Sequence, residues 1–470
     1  MIFKKAEKRN PWAWVSTLYF AEGIPYVVVM TVSVIMYKRL GISNTDIALY
    51  TSWLYLPWVI KPLWSPLVDI LNQKRSWIII TQAIVAAGLA GVAFTIPVSN
   101  FFQYTLAFFW LIAFNSATHD IAADGFYMLG LSHHEQTWFV GIRSTFYRFA
   151  FLAGQGPLVI LAGELEKNST DIPYAWMFSF FILAGLFIVF FLYHTFILPY
   201  PASDKKADNS VKLINKLSNY LLFILVFLIF LPFYFIMIWL NPITKFDPRT
   251  LIQKLPFSDN PFSETIIKFL IKDNFGIILA FVLFYRLGEA QLVKIASPFL
   301  LDPKTAGGLG LSTIQVGFVY GTVGVIALTL GGILGGFLAA KNGLKHWLWW
   351  MIIAINLPDL VYVFLSYTQT SSFFVINLMV AIEQFGYGFG FTAYMLYLIY
   401  ISEGDHKTAH YAIATGIMAL GMMIPGMFSG WLQETLGYRH FFIWVCLATI
   451  PIFVIAKFIH LDPEFGKKTG

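Results

Sequence analysis

Long apolar runs, each bounded by charged residues or by Pro and Gly, dominate this sequence of 470 residues. A helix of about 20 apolar residues spans the hydrocarbon layer of a membrane. Hydrophobic residues make up 58% of the chain and charged residues 12%, whereas a soluble domain has roughly 25% charged residues. These values exclude a water-soluble fold and a disordered chain, and a single Cys excludes a disulfide scaffold. We expect an all-α polytopic membrane protein.

Twelve apolar runs are long enough to cross a membrane, six in each half of the chain. They cover 12–37, 46–70, 77–97, 101–130, 138–163, 174–198, 275–300, 313–340, 347–367, 372–401, 409–432 and 438–459. We therefore expect an N-terminal six-helix bundle over 1–198, a cytoplasmic linker over 199–274 and a C-terminal six-helix bundle over 275–470.

A further apolar run, over 220–240, lies in the linker. Its length permits a thirteenth span, but Pro232 near its middle would break an ideal helix. A thirteenth span would also invert the second half of the chain, so we interpret the run as a re-entrant or interfacial segment. After it, the sequence from Phe262 to Ile271 predicts a short amphipathic helix lying on the membrane.

Lys and Arg are concentrated in alternate connections, which predicts the orientation. The rich connections contain Lys4, Lys5, Lys8, Arg9, Lys74, Arg75, Lys205, Lys206, Lys212, Lys216, Lys341, Lys345, Lys467 and Lys468. Lys38, Arg39 and Lys304 fall on the other side but are outnumbered. We expect both termini in the cytoplasm and the protein in the cell inner membrane, in contact with lipid. The net charge of +6 then reflects sidedness and does not indicate a nucleic-acid partner.

The two halves repeat each other at a spacing of 267 to 270 residues. The matching pairs are Gly41-Ile-Ser43 with Gly310-Leu-Ser312, Trp77 with Trp347, Tyr127-Met128 with Tyr394-Met395, and Glu22 with Glu289. Two six-helix bundles in the same orientation form the parallel repeat of major facilitator transporters. Such a fold places its substrate site between the halves, near the middle of the membrane.

Several stretches resemble the AmpG, or muropeptide permease, branch of the major facilitator superfamily. They are Phe20-Ala-Glu-Gly-Ile-Pro25, Lys61-Pro-Leu-Trp-Ser-Pro-Leu-Val-Asp69, His119-Asp-Ile-Ala-Ala-Asp124, Tyr147-Arg148, Tyr285-Arg-Leu-Gly-Glu289 and Glu383-Gln-Phe-Gly-Tyr-Gly388. The resemblance implies proton-driven import of N-acetylglucosaminyl-anhydro-N-acetylmuramic acid and its peptides, for recycling of cell-wall peptidoglycan. Alternatives are a facilitator of another substrate, such as an acetyl-CoA-like anion or a sugar, and a membrane receptor or enzyme without transport activity.

Ionisable side chains inside the predicted spans are the candidate functional residues, because each is costly in a bilayer unless it is paired or hydrated. The acids are Glu22, Asp120, Asp124, Glu289, Asp359 and Glu383, and the bases are Lys61, Arg143, Arg148, Arg286 and Lys294. Asp120 and Asp124 share one helix face, where each disfavours ionisation of the other and so favours proton exchange. The alternative is neutralisation of each Asp by a base such as Lys61 or Arg148.

We predict proton coupling by Asp120, Asp124, Glu22, Glu289 and Glu383. We predict substrate binding by Lys61, Arg148, Arg286, Lys294 and Gln384, since Arg in particular holds carboxylates through two parallel bonds. Arg286 and Glu289 are three residues apart and could instead form a pair within one helix. His119 fits a proton relay or, more simply, a hydrogen-bonded structural role.

The loop between spans two and three resembles the facilitator loop in which an acid at a helix end meets basic residues and latches the halves together. Here the candidates are Asp69, Lys74 and Arg75. The simpler interpretation is a helix connection with cytoplasmic positive charges. The sequence contains none of the phosphate-loop, zinc or nucleophile motifs that indicate an enzyme. We expect no cofactor and no metal site; the expected partners are a small-molecule substrate, protons and lipid.

Overall fold

The computed structural model describes residues 8–169, 171–204, 261–404 and 406–467, and these residues form helices without a strand. The apolar run over 220–240 lies outside the described residues. The side chain of Asp69 is also outside them, although its backbone belongs to a described helix.

Six spans form the N half. Span 1 consists of Val15–Val27 and Ser33–Arg39, joined by a π-helical turn over Val28–Val32. Span 2 consists of Asn44–Trp53 and Leu56–Leu71, span 3 of Lys74–Thr95, and span 4 of Phe101–Gly130. Span 5 consists of His133–Gln155 and Pro157–Ser169, and span 6 of Ile172–Ile197.

Six spans also form the C half. Span 7 consists of Phe275–Phe284 and Leu287–Leu301. Span 8 runs through Thr313–Phe318, a π-helical turn over Val319–Gly324, and Val325–Asn342. Span 9 consists of Leu344–Asn356, a 3-10 turn over Leu357–Asp359, and Leu360–Thr368, and span 10 is Phe373–Ile401. Spans 11 and 12 share the long helix Lys407–Ala448, which breaks at Gly437 (φ 71°, ψ 162°) and continues as Ile450–Ile455.

Nine helical stretches in the described part of the chain are long and apolar enough to cross a membrane. One of them, Lys407–Phe458, contains both span 11 and span 12. The nine stretches cover ten of the twelve spans. The other two are span 2, which is divided at Leu54 and Tyr55, and span 4, which carries Asp120 and Asp124. The all-α membrane fold that the sequence predicts is confirmed.

The sequence repeat produces the same turn in both halves. Gly41 and Gly310 each adopt a positive φ, of 83° and 70°, which glycine adopts without steric cost. Two residues later, Ser43 and Ser312 cap the next helix by accepting hydrogen bonds from the backbone N–H groups of Asp46 and Gln315. Span 2 and span 8 therefore begin with equivalent geometry, as a parallel repeat requires.

The helix Pro261–Leu270 packs against the C half. Ile266, Phe269 and Leu270 are buried in one apolar cluster with Phe275 of span 7. The exposed side of this helix carries an ion pair between Glu264 and Lys268 with an N–O distance of 2.7 Å. The predicted amphipathic pattern thus places its apolar side chains against protein in this structure.

Residues 8 and 467, the first and last that the structure describes, lie at the end of the bundle where spans 1 and 3 begin and span 12 ends. We call this the proximal end. The opposite, distal end carries the connections 40–43, 302–312 and 369–372. The halves pack together through spans 1 and 7, spans 2 and 11, and spans 5 and 8. The interior charges lie along these and the neighbouring spans.

Candidate functional site

An ion pair joins span 2 to span 4 in the N half. Lys61 Nζ bonds to Asp120 Oδ2, and both side chains keep about a quarter of their surface exposed, 24% and 23%. The interpretation in which a basic neighbour neutralises Asp120 therefore agrees with the geometry. The pair is also accessible enough to meet a solute.

A second N-half ion pair involves the residue one turn further along span 4. Arg143 Nη1 lies 3.0 Å from Asp124 Oδ1 and 2.9 Å from the hydroxyl oxygen of Tyr19. The Tyr19 hydroxyl donates to the same carboxylate oxygen at 3.0 Å. Asp124 is thus held by spans 1 and 5, and 44% of its side chain is exposed. The sequence pointed to Lys61 or Arg148 as partners but did not identify Arg143 for this Asp.

Glu22 of span 1 lies beside these pairs. The charges of Asp120, Asp124 and Lys61 all act on its carboxyl group. Glu22 is buried, and its Oε2 has no hydrogen-bond partner among the described residues. The structure thus brings together three of the predicted coupling acids, Glu22, Asp120 and Asp124.

Three further acids come together in the C half. Glu289 of span 7, Asp359 of span 9 and Glu383 of span 10 are 4%, 1% and 3% exposed, and they interact electrostatically with one another. Glu383 accepts hydrogen bonds from Gln384 Nε2 at 3.1 and 2.9 Å and from the Tyr362 hydroxyl at 3.5 Å. In the described part of the chain no cation forms an ion pair with any of the three. We call them the C-half carboxyl trio.

The alternative in which Arg286 pairs with Glu289 is not seen: no ion pair or hydrogen bond joins them among the described residues. Arg286 Nη2 instead donates to the Tyr387 hydroxyl at 2.6 Å, and its guanidinium lies 5.1 Å from the ring centres of both Tyr387 and Phe391. Glu289 Oε2 has no hydrogen-bond partner among the residues described. Arg286 is therefore held by aromatic residues and keeps no carboxylate as its direct partner.

Lys294 of span 7 connects the two halves. Its ammonium donates to the hydroxyl of Thr51 in span 2 at 3.0 Å and lies 5.2 Å from the ring centre of Tyr55. The side chain is 1% exposed, and no acid pairs with it in the described ranges. A buried ammonium with only a hydroxyl and a ring as neighbours is costly, and a bound anion would offset that cost.

The remaining predicted substrate residue, Arg148 of span 5, faces span 8. A Cβ placed on Gly332 would lie 3.4 Å from Arg148 Nη2. Within the described residues Arg148 has no ion-pair partner. The structure therefore places cations from both halves, Arg148, Arg286 and Lys294, along the surfaces where the halves meet.

Two of the predicted latch residues, Lys74 and Arg75, contact the end of span 6 and the residues that directly follow it. Asp204 accepts from the backbone N–H groups of Lys74 and Arg75 at 2.8 and 3.1 Å and so caps span 3. The Arg75 guanidinium donates to the carbonyl of Thr195 at 2.5 Å and stacks on Tyr200 at 4.0 Å. A latch between the halves at this end stays a prediction.

Polar contacts between the halves lie instead at the distal end. Lys38 Nζ lies 2.7 Å from Asp302 Oδ1. Asn44 donates to Gln433 Oε1 at 2.6 Å, and the Thr45 hydroxyl donates to Glu434 Oε2 at 2.5 Å. We call these three contacts, together with the contacts of Glu166 described next, the distal clamp.

The last contact of the distal clamp is centred on Glu166 of span 5. Its carboxylate accepts from the Thr313 hydroxyl of span 8 at 2.6 Å and pairs with Arg39 of span 1 at 3.0 Å. Two of the basic residues that opposed the predicted sidedness, Lys38 and Arg39, thus have specific acidic partners. The clamp closes the interface at the distal end, and this feature was not predicted from the sequence.

His119 belongs to a chain of buried polar side chains in the N half. Its Nε2 lies 3.0 Å from the amide nitrogen of Gln82, whose oxygen lies 3.0 Å from Nδ1 of His194. His194 Nε2 lies 3.0 Å from the Thr17 hydroxyl. These contacts join spans 1, 3, 4 and 6, which favours the structural role for His119.

Two helical halves in parallel repeat, closed against each other at one end and carrying charged side chains between them, define a membrane transporter. The chain belongs to the Major Facilitator Superfamily, whose family model matches residues 15–402. It is accordingly a secondary transporter, as its fold and relatives indicate.

Relatives match nearly the whole chain at low identity. The putative transporter AmpG 4 of Rickettsia conorii is 23% identical over 458 residues, covering 94% of this chain and 95% of the relative. The anhydromuropeptide permease of Escherichia coli K12 is 24% identical over 448 residues, covering 92% and 76%. The predicted resemblance to the AmpG branch is confirmed.

Solved structures show the same fold. A D-xylose–proton symporter aligns with a TM-score of 0.65 at 12% identity, covering 97% of this chain and 99% of the other. The nucleoside transporter NupG aligns with a TM-score of 0.61 at 15% identity, covering 95% and 98%. At such identities the likeness concerns the fold alone.

Proposed function

We propose that this protein imports cell-wall muropeptides, namely N-acetylglucosaminyl-anhydro-N-acetylmuramic acid and its peptides, together with protons. The observation that carries the proposal is the similarity along nearly the whole chain to relatives named AmpG and anhydromuropeptide permease. The site between the halves supplies the physical support.

The substrate is an amino sugar bearing carboxylates, which calls for cations beside aromatic rings. Arg286 lies beside Tyr387, and Lys294 lies beside Tyr55. Neither cation has a carboxylate as its direct partner in the described residues, so a substrate carboxylate can take that place. We further assign substrate contacts to Lys61, Arg148 and Gln384.

The distal clamp supports alternating access. With the distal end closed by the contacts of Lys38, Asn44, Thr45 and Glu166, a ligand between the halves exchanges at the proximal end. In our proposal the proximal end faces the cytoplasm, the protein lies in the cell inner membrane, and this conformation releases substrate inward. In the opposite conformation Asp69, Lys74 and Arg75 would latch the proximal end.

Protons are proposed as the coupling ion because the site contains carboxyl groups in excess of cations at bonding distance. The candidates are Glu22, Asp120 and Asp124 in the N half, and Glu289 and Glu383 in the C half. An isosteric amide at Asp124 (Asp124→Asn) cannot carry a proton; if Asp124 is the coupling group, this change should abolish uphill uptake while the protein still folds.

Uptake of the radiolabelled anhydro-disaccharide into cells that lack their own permease tests the proposal. We expect accumulation above the vector control, abolished by a proton uncoupler. Excess unlabelled acetyl-CoA and simple sugars should compete poorly. Accumulation of one of these compounds in place of the disaccharide would assign the protein to another branch of the superfamily.

A further inference from the structure

The C-half carboxyl trio contains an acid, Asp359, that the proposed function does not use. Asp359 occupies the 3-10 turn Leu357–Asp359 that interrupts span 9. Its Oδ2 lies against span 7, 3.3 Å from the position of a Cβ on Gly288, and its carboxyl group interacts electrostatically with Glu289 and Glu383. Neither Oδ1 nor Oδ2 of Asp359 has a hydrogen-bond partner among the described residues, and the residue is almost fully buried.

An ionised carboxylate removed from water without a hydrogen-bond donor or a cation is strongly destabilised. Two neighbouring carboxylates add repulsion. Binding a proton removes both penalties, because a protonated carboxyl is neutral and can donate to a neighbouring carboxylate oxygen. Because Asp359 is buried and has no hydrogen-bond partner among the described residues, we expect the trio to bind a proton.

The other groups that face the trio do not replace that proton. Arg286 is the cation that acts on Glu289, and its guanidinium is bonded to the hydroxyl of Tyr387. The Tyr362 hydroxyl donates to Glu383 at 3.5 Å and contacts the hydroxyl of Tyr320. Cys446 of span 12 interacts electrostatically with Asp359. The three carboxyls and the guanidinium together have no net charge when two of the carboxyls are protonated.

The acids of the N half have a different environment. Asp120 and Asp124 have ion-pair partners in Lys61 and Arg143 and remain partly exposed. They can stay ionised without a bound proton.

We propose that Asp359, acting with Glu289 and Glu383, forms a proton-binding site in the C half that couples transport to the proton gradient. This inference rests on the proposed proton-coupled uptake and assigns the proton to the C half, while the N-half ion pairs respond to the substrate. The step moves one H⁺ between water and a carboxylate oxygen and needs no other reactant.

Transport by Asp359→Asn gives the first test, with Asp462→Asn as a control that removes a carboxylate outside the spans. Asp359→Asn should lose concentrative, uncoupler-sensitive uptake of the anhydro-disaccharide and retain exchange of external for internal substrate. Asp462→Asn should match the wild type. Equal concentrative uptake by wild type and Asp359→Asn would overturn the inference and leave the proposed function intact. Wild-type uptake driven by a sodium gradient would overturn both the inference and the proposed proton coupling.

Labelling with dicyclohexylcarbodiimide gives a test that needs no substrate, because this reagent reacts with protonated carboxyl groups in apolar surroundings. Mass spectrometry of the purified wild-type protein should find the adduct on Glu289, Asp359 or Glu383. The adduct should decrease in Asp359→Asn, whose folding is checked by its melting temperature. An adduct confined to Asp120 or Asp124 would place the proton in the N half and contradict the inference.

If the wild type takes up no disaccharide, the proposed function fails and the labelling alone decides whether the trio binds protons.

Discussion

Lys38 of span 1 and Asp302 after span 7 join the two halves by an ion pair of 2.7 Å between Nζ and Oδ1. Asp302 also accepts from the Tyr438 hydroxyl at 2.6 Å, and Lys38 donates to Asn44 at 2.9 Å. The pair can exist only while the distal ends of the halves are together. It therefore stabilises this conformation relative to one that is open at the distal end.

Lys38→Ala should shift the protein towards the distally open conformation. An ion pair at the end of the bundle stabilises the closed conformation by ~0.5–1 kcal/mol. By the Boltzmann relation, its loss changes the ratio of the open to the closed conformation about two- to fivefold. The rate at which a membrane-impermeant maleimide labels Ser52→Cys, in a Cys446→Ala background, measures this shift because Ser52 is buried in span 2 near the interface.

Lys304→Ala is the control for this experiment. Lys304 bonds to the carbonyl of Gln369 and the hydroxyl of Ser371, both in the C half. Its removal should leave the labelling rate unchanged. An equal acceleration in both variants would show a general loosening and no specific role for the Lys38–Asp302 pair.

Gly430→Val should prevent tight closure of the distal end. A Cβ on Gly430 would lie 2.0 Å from the carbonyl oxygen of Asn44, a backbone atom that cannot rotate away. We expect less disulfide formation between Cys residues introduced at Thr45 and Glu434. Gly336→Val is the matched control, because nothing lies within 4 Å of its Cβ position; the same loss of cross-linking there would refute the steric explanation.

Replacing Arg286 and Glu289 together should not restore transport. If they formed a buried ion pair, exchanging both for apolar residues would be nearly neutral, whereas each single change would cost about 3–5 kcal/mol. Arg286 is bonded to Tyr387 instead, so we expect Arg286→Met/Glu289→Leu to be folded and inactive. Uptake and melting temperature of the two single variants and the double variant check this; recovered uptake in the double variant would remove Arg286 from the substrate site.

Gln82→Leu should lower stability without changing coupling. Gln82 bridges His119 and His194, and its loss leaves buried ring nitrogens unpaired, at a cost of about 1–3 kcal/mol. The melting temperature should fall, while the uncoupler sensitivity of the remaining uptake should persist. His134→Ala, at an exposed position, should leave both unchanged. Loss of uncoupler sensitivity in Gln82→Leu would show that these hydrogen-bonded side chains take part in proton transfer.

The sequence predicted features that depend on local chemistry. Apolar length identified the spans, and the repeated turns at Gly41-Ile-Ser43 and Gly310-Leu-Ser312 predicted the parallel repeat, because positive φ and helix capping are set by a few adjacent residues. Spans 8 and 10 pack closely, since a Cβ on Gly388 would lie 2.0 Å from the carbonyl oxygen of Leu328.

Contacts between distant spans could not be predicted in this way. Lys38 and Arg39 resembled exceptions to a charge rule, because nothing local to them shows that Asp302 and Glu166 will meet them when the halves close. The spacing of Arg286 and Glu289 suited a helical pair, but span 7 is interrupted and its second helix begins only at Leu287, after Arg286. The sequence identified Asp359 as an interior acid and gave no sign that it faces Glu289 and Glu383.

Proton movement during substrate entry tests the central claim most directly. Purified protein in liposomes that enclose a pH-sensitive dye is given the anhydro-disaccharide outside, without an imposed gradient. Our account predicts acidification of the interior that begins with substrate entry, is absent with Asp359→Asn, and continues normally with Asp462→Asn. Substrate entry by the wild type without any change in internal pH would contradict proton-coupled transport.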